Sequence, residues 1–312
     1  MVISRTPLRI SLSGGTDSPE FLREYGEGFA ITVAVNLYLY LIVKKTFDNL
    51  YVIKYSETEN VKDIAKIKHP ILRETLKLYQ VSPGTEIVSL ADVPSGTGLG
   101  SSGAFTVGLC RALSSALTQH ELAERAAHIE LGILRKLGGK QDHYATALGG
   151  LRTLGFHHNG TVVDCELAIN PTTLQRLENG LRLYYTGYSR DADSVLATQS
   201  IDGLNIINAH GHASKRYLES GDLDSFADLM NDHWQIKRQR SPEMTNERID
   251  HFYDVAMANG AMGGKLVGAG GGGFLLFYAR DYGQLHAAMT AEGLMEVPFS
   301  FDHVGTTLIE GV

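Results

Sequence analysis

The sequence predicts an α+β protein of two domains, and three observations predict it. Runs rich in β-branched and aromatic residues dominate the opening of the chain, as strands require. Apolar residues at helical spacing dominate residues 191–258. Between them Asn170-Pro171-Thr172 marks a turn, which places the boundary near residue 175 and the domains at 1–175 and 176–312.

The elements follow in order. Val2–Leu12 alternates loosely and reads as a strand, broken at Gly14-Gly15-Thr16-Asp17. Asp17-Ser18-Pro19-Glu20 then reads as a helix start, with Pro near the first helical position. Gly28–Lys45 and Leu50–Tyr55 read as paired strands joined by Phe47-Asp48-Asn49. Residues 62–80 read as helical and Glu86–Asp92 as a strand. After a Gly-rich loop, Phe105, Leu109, Ala112, Leu113, Ala116 and Leu117 recur at helical spacing. Thr118 with Glu121 is a capping box for the next helix, which runs to about Leu137 and stops at Gly138-Gly139. A short helix, Gln141–Leu148, ends at Gly149-Gly150. In the second half Arg182–Tyr188 is a strand, and residues 191–200, 204–219, 222–239 and 243–258 are helices. Strands Lys265–Val267 and Phe274–Tyr278 flank a second glycine cluster, followed by a helix at 281–292 and a strand near 303–309.

Composition narrows the function. The chain has 312 residues, 43% hydrophobic and 20% charged, which fits a globular protein and excludes global disorder, collagen and coiled coil. Its net charge of −7 gives no broad reason to bind nucleic acid, so an anionic ligand must be held by a local site. Cys110 and Cys165 stand far apart with no CxxC spacing, against a disulfide framework or zinc site. The histidines show no HExxH spacing. The opening residues lack a signal peptide's apolar segment. The longest near-apolar run, Phe29–Val43, is 15 residues, short of the roughly 20 a membrane helix needs. A cytoplasmic location without membrane partners is therefore expected.

The loop from Pro94 to Gly103, PSGTGLGSSG, carries the chemistry. Its glycines Gly96, Gly98, Gly100 and Gly103 let the backbone approach a ligand closely. A helix begins at once, so unpaired N–H groups from about Ser101 to Ala104, with the helix dipole behind them, make a phosphate cradle. Ser101 and Ser102 can cap that helix or offer a hydroxyl to Mg²⁺. The segment also contains a literal GxGxxG. A dinucleotide site would need an acidic residue ending a strand about 20 residues on. Glu121 and Glu124 fall instead in a helical segment. The Walker A pattern is absent, since Gly139-Lys140 precedes Gln141 and Gly264-Lys265 precedes Leu266. Glu130 lies on the stripe Ala123, Ala127, Glu130, Leu134, a half-buried carboxylate that wants a partner.

The motif PxGxGLGSS, with Leu99 at its centre, resembles the central motif of the GHMP small-molecule kinases. Pro7-Leu8-Arg9 followed by Gly14-Gly15-Thr16-Asp17 resembles that family's first motif. Residues 265–273, KLVGAGGGG, resemble its third. GGKQDHYATALGG at 138–150 and TGYSRDAD at 186–193 look most like the D-glycero-D-manno-heptose 7-phosphate kinase branch. That branch reads Gly-Gly-Gly-Thr-Asp where this chain has one Gly fewer.

The resemblance implies a ribosomal-S5-like first domain, a ferredoxin-like second domain and an active site between them. It implies ATP and Mg²⁺ as cofactors, with the metal held by Glu130 and by Ser102 first or Ser101 second. Two protein oxygens suffice for Mg²⁺, which keeps its other positions for phosphate and water. Asp142 matches the base that takes the proton of the sugar hydroxyl. Arg9 matches a basic residue that stabilises developing charge or keeps Asp142 ionised. Pro94 to Ala104 would hold ATP. Thr16, Asp17 and the loop Gly270, Gly271, Gly272 would face the sugar. Lys140, Arg190, Lys237 and Arg240 are candidates for a second phosphate on it. The implied reaction phosphorylates the anomeric oxygen of a heptose 7-phosphate, with a homodimer allowed for. Another sugar 1-kinase, of fucose or galactose type, is the alternative. A non-catalytic sensor on the same fold is the further one, against which the set Ser102, Glu130 and Asp142 argues.

Overall fold

The structure is a computed structural model that describes residues 1–189 and 192–309. In chain order the first half runs β1 (Val2–Gly14), α1 (Pro19–Tyr25), β2 (Glu27–Lys45), β3 (Tyr51–Lys54), β4 (Thr58–Val61), α2 (Pro70–Leu78), β5 (Thr85–Ala91), α3 (Ser101–Leu113), α4 (Gln119–Ala127), α5 (Gln141–Leu148), β6 (Leu151–His157) and β7 (Val162–Glu166). The second half runs α6 (Pro171–Gly180), β8 (Leu181–Tyr185), α7 (Ala192–Ala197), α8 (Leu204–Ser220), α9 (Leu223–Lys237), α10 (Glu247–Ala258), β9 (Ala261–Leu266), β10 (Phe274–Ala279), α11 (Tyr282–Ala291), β11 (Met295–Glu296) and β12 (Thr307–Leu308). The α+β class is observed.

Two sheets organise these elements. The first has the order β12-β1-β2-β5-β3-β4, with β6 also on β2 and β7 on β6. The second is four-stranded and antiparallel, β11-β8-β10-β9. β1 is long because Leu8, Ile10 and Leu12 alternate into the core while its backbone pairs with β2 along almost its whole length. α3, α5 and α8 pack against β1 and β2, and α9 packs on β9. A single apolar cluster joins Leu8 and Val33 of the first sheet to Phe226 of α9 and Leu276 of β10. The elements that border the site therefore share one core, and burial of this kind is worth about 1.5–3 kcal/mol per large side chain. No described helix is long and apolar enough to cross a membrane.

Several sequence expectations are corrected here. β2 and β3 are not partners: β5 lies between them, antiparallel to β2 and parallel to β3. Glu86 of β5 bridges its two neighbours, pairing with Lys44 at 2.9 Å on one side and Lys54 at 2.6 Å on the other. Residues 62–80 hold only a single 3₁₀ turn, Ile64–Lys66, and α2, because Pro70 opens a helix of its own. The helix from Thr118 does not reach Leu137. It widens into a π-helical turn, His128–Ile133, and ends before Arg135, whose φ of 54° leaves the helix. Strands β6 and β7 stand where no element was expected. Asn170-Pro171 is the cap and first turn of α6, so residue 175 lies inside a helix. The terminal strand is two residues long and returns to the first sheet, pairing with β1.

Candidate active site

A cleft of about 1180 Å³ lies between the two sheets' layers. Arg9, the loop 94–103, Glu130, Asp142, Lys237, Lys265 and Gly270 all line it.

The Gly-rich loop is held from both sides. Arg9 N–H donates to the Leu99 carbonyl at 3.0 Å, fastening the loop to β1. Gly98, at φ 86°, rests against the second glycine cluster: a Cβ there would stand 2.4 Å from the Val267 carbonyl oxygen. Across the same contact a Cβ on Gly268 would stand 2.4 Å from Gly98 Cα. Only glycine permits that approach. α3 then begins with Gly100 at its N-cap, leaving the N–H groups of Ser101, Ser102 and Gly103 without an intrahelical acceptor. The Ala104 N–H is already bonded to the Gly100 carbonyl, so the cradle is one donor shorter than expected. Leu99 and Ala104 are fully buried and support the loop from behind.

Ser102 and Glu130 meet. Ser102 Oγ donates to Glu130 Oε2 at 2.5 Å, and Thr106 Oγ1 donates to Glu130 Oε1 at 2.6 Å. His143 Nε2 stands 3.2 Å from Oε1, so it donates to the carboxylate. The π-helical turn carries Glu130 inward. Lys136 follows it and sends its ammonium back to Ser102 Oγ at 2.8 Å and Glu130 Oε2 at 3.1 Å. Burial by itself raises the Glu130 carboxyl, but His143, Lys136 and Ser102 outweigh it and hold the group well below the usual carboxylate range. Ser101 takes no part in this pair.

Asp142 is the second residue of α5, across from the loop. Arg9 grips it with two bonds, Nε to Oδ1 at 2.7 Å and Nη2 to Oδ2 at 2.8 Å, while Nη1 donates to the Gly98 carbonyl at 2.5 Å. The Arg9 side chain is 6% exposed and that of Asp142 34%, so the carboxylate faces the cleft and the cation stands behind it. Such a fork holds an ionised carboxylate in one orientation. Asp17 lines the cleft nearby, and its Oδ2 accepts from the Gln141 N–H at 2.8 Å, capping α5. Burial pushes its carboxyl up, against the Gln141 bond that lowers it.

Other expected site residues are elsewhere. Thr16 is buried outside the cleft lining. Its hydroxyl donates to Asn208 Oδ1 at 2.7 Å and accepts from the Phe29 N–H at 2.8 Å, which ties α8 to the β1–β2 connection. Lys140 also points away from the cleft, because Glu124 takes its ammonium at 2.8 Å and the Gly160 carbonyl at 2.6 Å. Gly270 lines the cleft, but Gly271 and Gly272 do not: the Gly271 N–H donates to the Met244 carbonyl at 2.8 Å and Gly272 abuts Tyr188. Arg190 lies outside the described residues. Lys237 and Arg240 do line the cleft.

Two groups of lining residues were not anticipated. Tyr55, His69 and Phe105 make contact in series, with centroids 4.9 Å apart at both contacts, Tyr55 edge-on to His69 and His69 stacked on Phe105, beside Ile71, Leu90 and Pro94. Their sequence positions carry no shared pattern. Lys265 was read as the start of a strand and of the third motif, with no ligand role, and it proves to be a buried lysine on the cleft wall. A lysine inside a strand of small and apolar residues was the available signal.

The comparisons with known proteins agree with this geometry. Residues 61–150 match the GHMP kinases N terminal domain and residues 214–293 the GHMP kinases C terminal domain. A D-glycero-alpha-D-manno-heptose 7-phosphate kinase of Campylobacter jejuni is 28% identical over 97% of both chains. A bifunctional fucokinase/GDP-fucose pyrophosphorylase of Arabidopsis thaliana is 26% identical over 88% of this chain and 29% of its own length. The crystal structure of a D-glycero-D-manno-heptose 1-phosphate kinase from Bacteroides thetaiotaomicron superposes over the whole of both chains with a TM-score of 0.80 at 26% identity. With both domain families matched in order on one shared fold, the chain belongs to the GHMP kinases, phosphotransferases with an alcohol group as acceptor.

Proposed function

We propose that the protein is an ATP- and Mg²⁺-dependent sugar kinase that phosphorylates the anomeric hydroxyl of D-glycero-D-manno-heptose 7-phosphate, giving the 1,7-bisphosphate. One observation carries the reading: a helix N-terminus, a Ser–Glu pair holding a cation and an Arg-clamped carboxylate converge on one cleft. The relative of Campylobacter jejuni named for heptose 7-phosphate supports the acceptor.

The residues fit Mg²⁺. Lys136 already places a positive charge between Ser102 Oγ and Glu130 Oε2, so the pair is built to hold a cation. Both are hard oxygen ligands, as Mg²⁺ prefers. When bound, the metal neutralises charge on the β- and γ-phosphates. The N–H groups of Ser101 to Gly103 receive the phosphates, and the aromatic series of Tyr55, His69 and Phe105 suits the nucleobase.

Asp142 positions the acceptor hydroxyl and takes its proton as the oxygen–phosphorus bond forms and the bond to the ADP oxygen breaks. Arg9 holds Asp142 pointed at the cleft with its two-pronged contact. Asp17 offers its second carboxylate oxygen to sugar hydroxyls while fixing the start of α5.

The test is a panel of heptose 7-phosphate, heptose, fucose and galactose, incubated with ATP and Mg²⁺, with products identified by ³¹P NMR. A new anomeric phosphate on heptose 7-phosphate, with kcat/KM highest for that sugar, is the expected result. Preference for fucose would favour the second reading, which the fucokinase relatives support. Phosphate on a non-anomeric hydroxyl would overturn the regiochemistry.

A further inference from the structure

Three cations that line the cleft have no carboxylate partner among the described residues. Lys265 of β9 is 2% exposed, and among the described residues its ammonium has no hydrogen-bond or ion-pair partner. Lys237, the last residue of α9, is 9% exposed and donates only to the Leu266 and Gly268 carbonyls, at 3.1 and 2.5 Å. Arg240, three residues on, donates Nε to the Ser200 carbonyl at 2.8 Å. No described Asp or Glu lies within ion-pair distance of any of the three, in a chain whose net charge is −7. His233, one turn before Lys237, borders the same wall with a buried Nδ1 that makes no hydrogen bond.

This arrangement is costly while empty. A buried ammonium without a counter-charge is strongly disfavoured, and like charges add to the cost. Burial first, then Arg240 and Arg9, pushes the Lys237 ammonium down to about 7. Burial, with Lys237 and Arg9 close by, carries Lys265 well below the ordinary lysine value. A dianion removes that penalty for all three groups at once.

We propose that Lys265, with Lys237 and Arg240, forms the subsite for a phosphate monoester carried by the acceptor, and that Lys265 determines the preference for a phosphorylated over an unphosphorylated sugar. The inference rests on the sugar kinase reading above. The phosphates of ATP already have their own receivers, the α3 N-terminus and the Ser102–Glu130 pair, all from the first half of the chain. The three cations come instead from α9, the turn after it and β9. His233 and the apolar Leu204 and Ile207 complete the lining on that side, which suits the carbon chain between the reacting hydroxyl and its distal phosphate.

The test compares wild type with Lys265→Met and Lys265→Arg, using heptose 7-phosphate and heptose as acceptors and TNP-ATP binding as the control for folding. Wild type should prefer the phosphorylated sugar. Lys265→Met should raise KM for heptose 7-phosphate by roughly 10- to 100-fold, the size of a lost charge-assisted contact. KM for heptose and the affinity for TNP-ATP should stay within about 2-fold, and Lys265→Arg should recover part of the loss. If Lys265→Met does not fold, Lys237→Met and Arg240→Gln carry the same comparison. A wild-type preference that survives in these variants overturns this subsite and leaves the sugar kinase reading intact. A rise in KM for ATP alone would assign the cations to the transferred phosphoryl group and overturn it as well. A wild type with no preference for the phosphorylated sugar overturns this subsite and the heptose 7-phosphate acceptor, and leaves a sugar kinase.

Discussion

The two walls of the cleft are built by opposite means. The wall from the first half, loop 94–103 with α3, α5 and the π-helical turn, presents backbone N–H groups to the cleft, and its side-chain charges are matched: Arg9 with Asp142, Lys136 with Glu130. The wall from the second half, α9 and β9, brings side-chain cations with carbonyl partners or none. A matched wall is already organised before ligand arrives. In an unmatched wall the buried lysines hold their protons weakly until an anion arrives. In our reading the first therefore serves every turnover through the nucleotide, and the second selects the acceptor.

The sharpest way to break this comparison is to remove the proton acceptor. Asp142→Asn should lower kcat by roughly 10²- to 10⁴-fold, with nucleotide affinity nearly unchanged, because the amide keeps the shape and loses the charge. Parallel turnover and binding assays check it; a near-normal kcat would take Asp142 out of the reaction. Glu130→Gln should raise the Mg²⁺ concentration for half-maximal activity by at least roughly 10-fold. An unchanged magnesium titration would refute the metal assignment.

The same carboxylate predicts an acid limb in stability. The folded Glu130 group lies below its ordinary value of 4.5, so its contribution is present above that pH and is lost as pH falls below it. Thermal melts between pH 6 and 3 should show a steeper loss in wild type than in Glu130→Gln; parallel curves would contradict this. The smallest effect belongs to Lys140, which is committed to Glu124 on the outer surface. Lys140→Met should leave kcat and both KM values within about 2-fold and cost no more than about 1 kcal/mol of stability. A large rise in acceptor KM would return Lys140 to the site.

What was legible in the sequence follows the same division. The glycine loop, the start of the helix behind it and the short helix of Asp142 are local patterns that the structure reproduces, although that first helix ends at Leu113, before the Ala116 and Leu117 expected on it. Pairings that depend on distant partners were not legible. Insertion of β5 between β2 and β3 rests on backbone pairing with both strands, far from it in sequence, around the buried Ile87. Helical spacing placed Glu130 on a buried stripe, as observed, but not the extra residue that widens the turn there, which periodicity at 3.6 does not register. Thr16 looked like a sugar ligand by position, yet its hydroxyl is taken by Asn208, 192 residues on. Lys237 and Arg240 were read as candidates for a second phosphate, but Lys265 joins them from a separate strand, so no spacing announces the three together.

The most direct measurement of the central claim crosses the two walls. Gly98→Ala forces a Cβ toward the Val267 carbonyl and a positive φ on alanine, at a cost of about 2–3 kcal/mol, and disturbs the phosphate loop. Steady-state kinetics of Gly98→Ala and Lys265→Met, each with ATP varied and then heptose 7-phosphate varied, would separate the walls. A split is predicted: KM for ATP rises in the loop variant alone, and KM for heptose 7-phosphate rises chiefly in the lysine variant. Equal rises in both constants for both variants would contradict the division of labour between the walls.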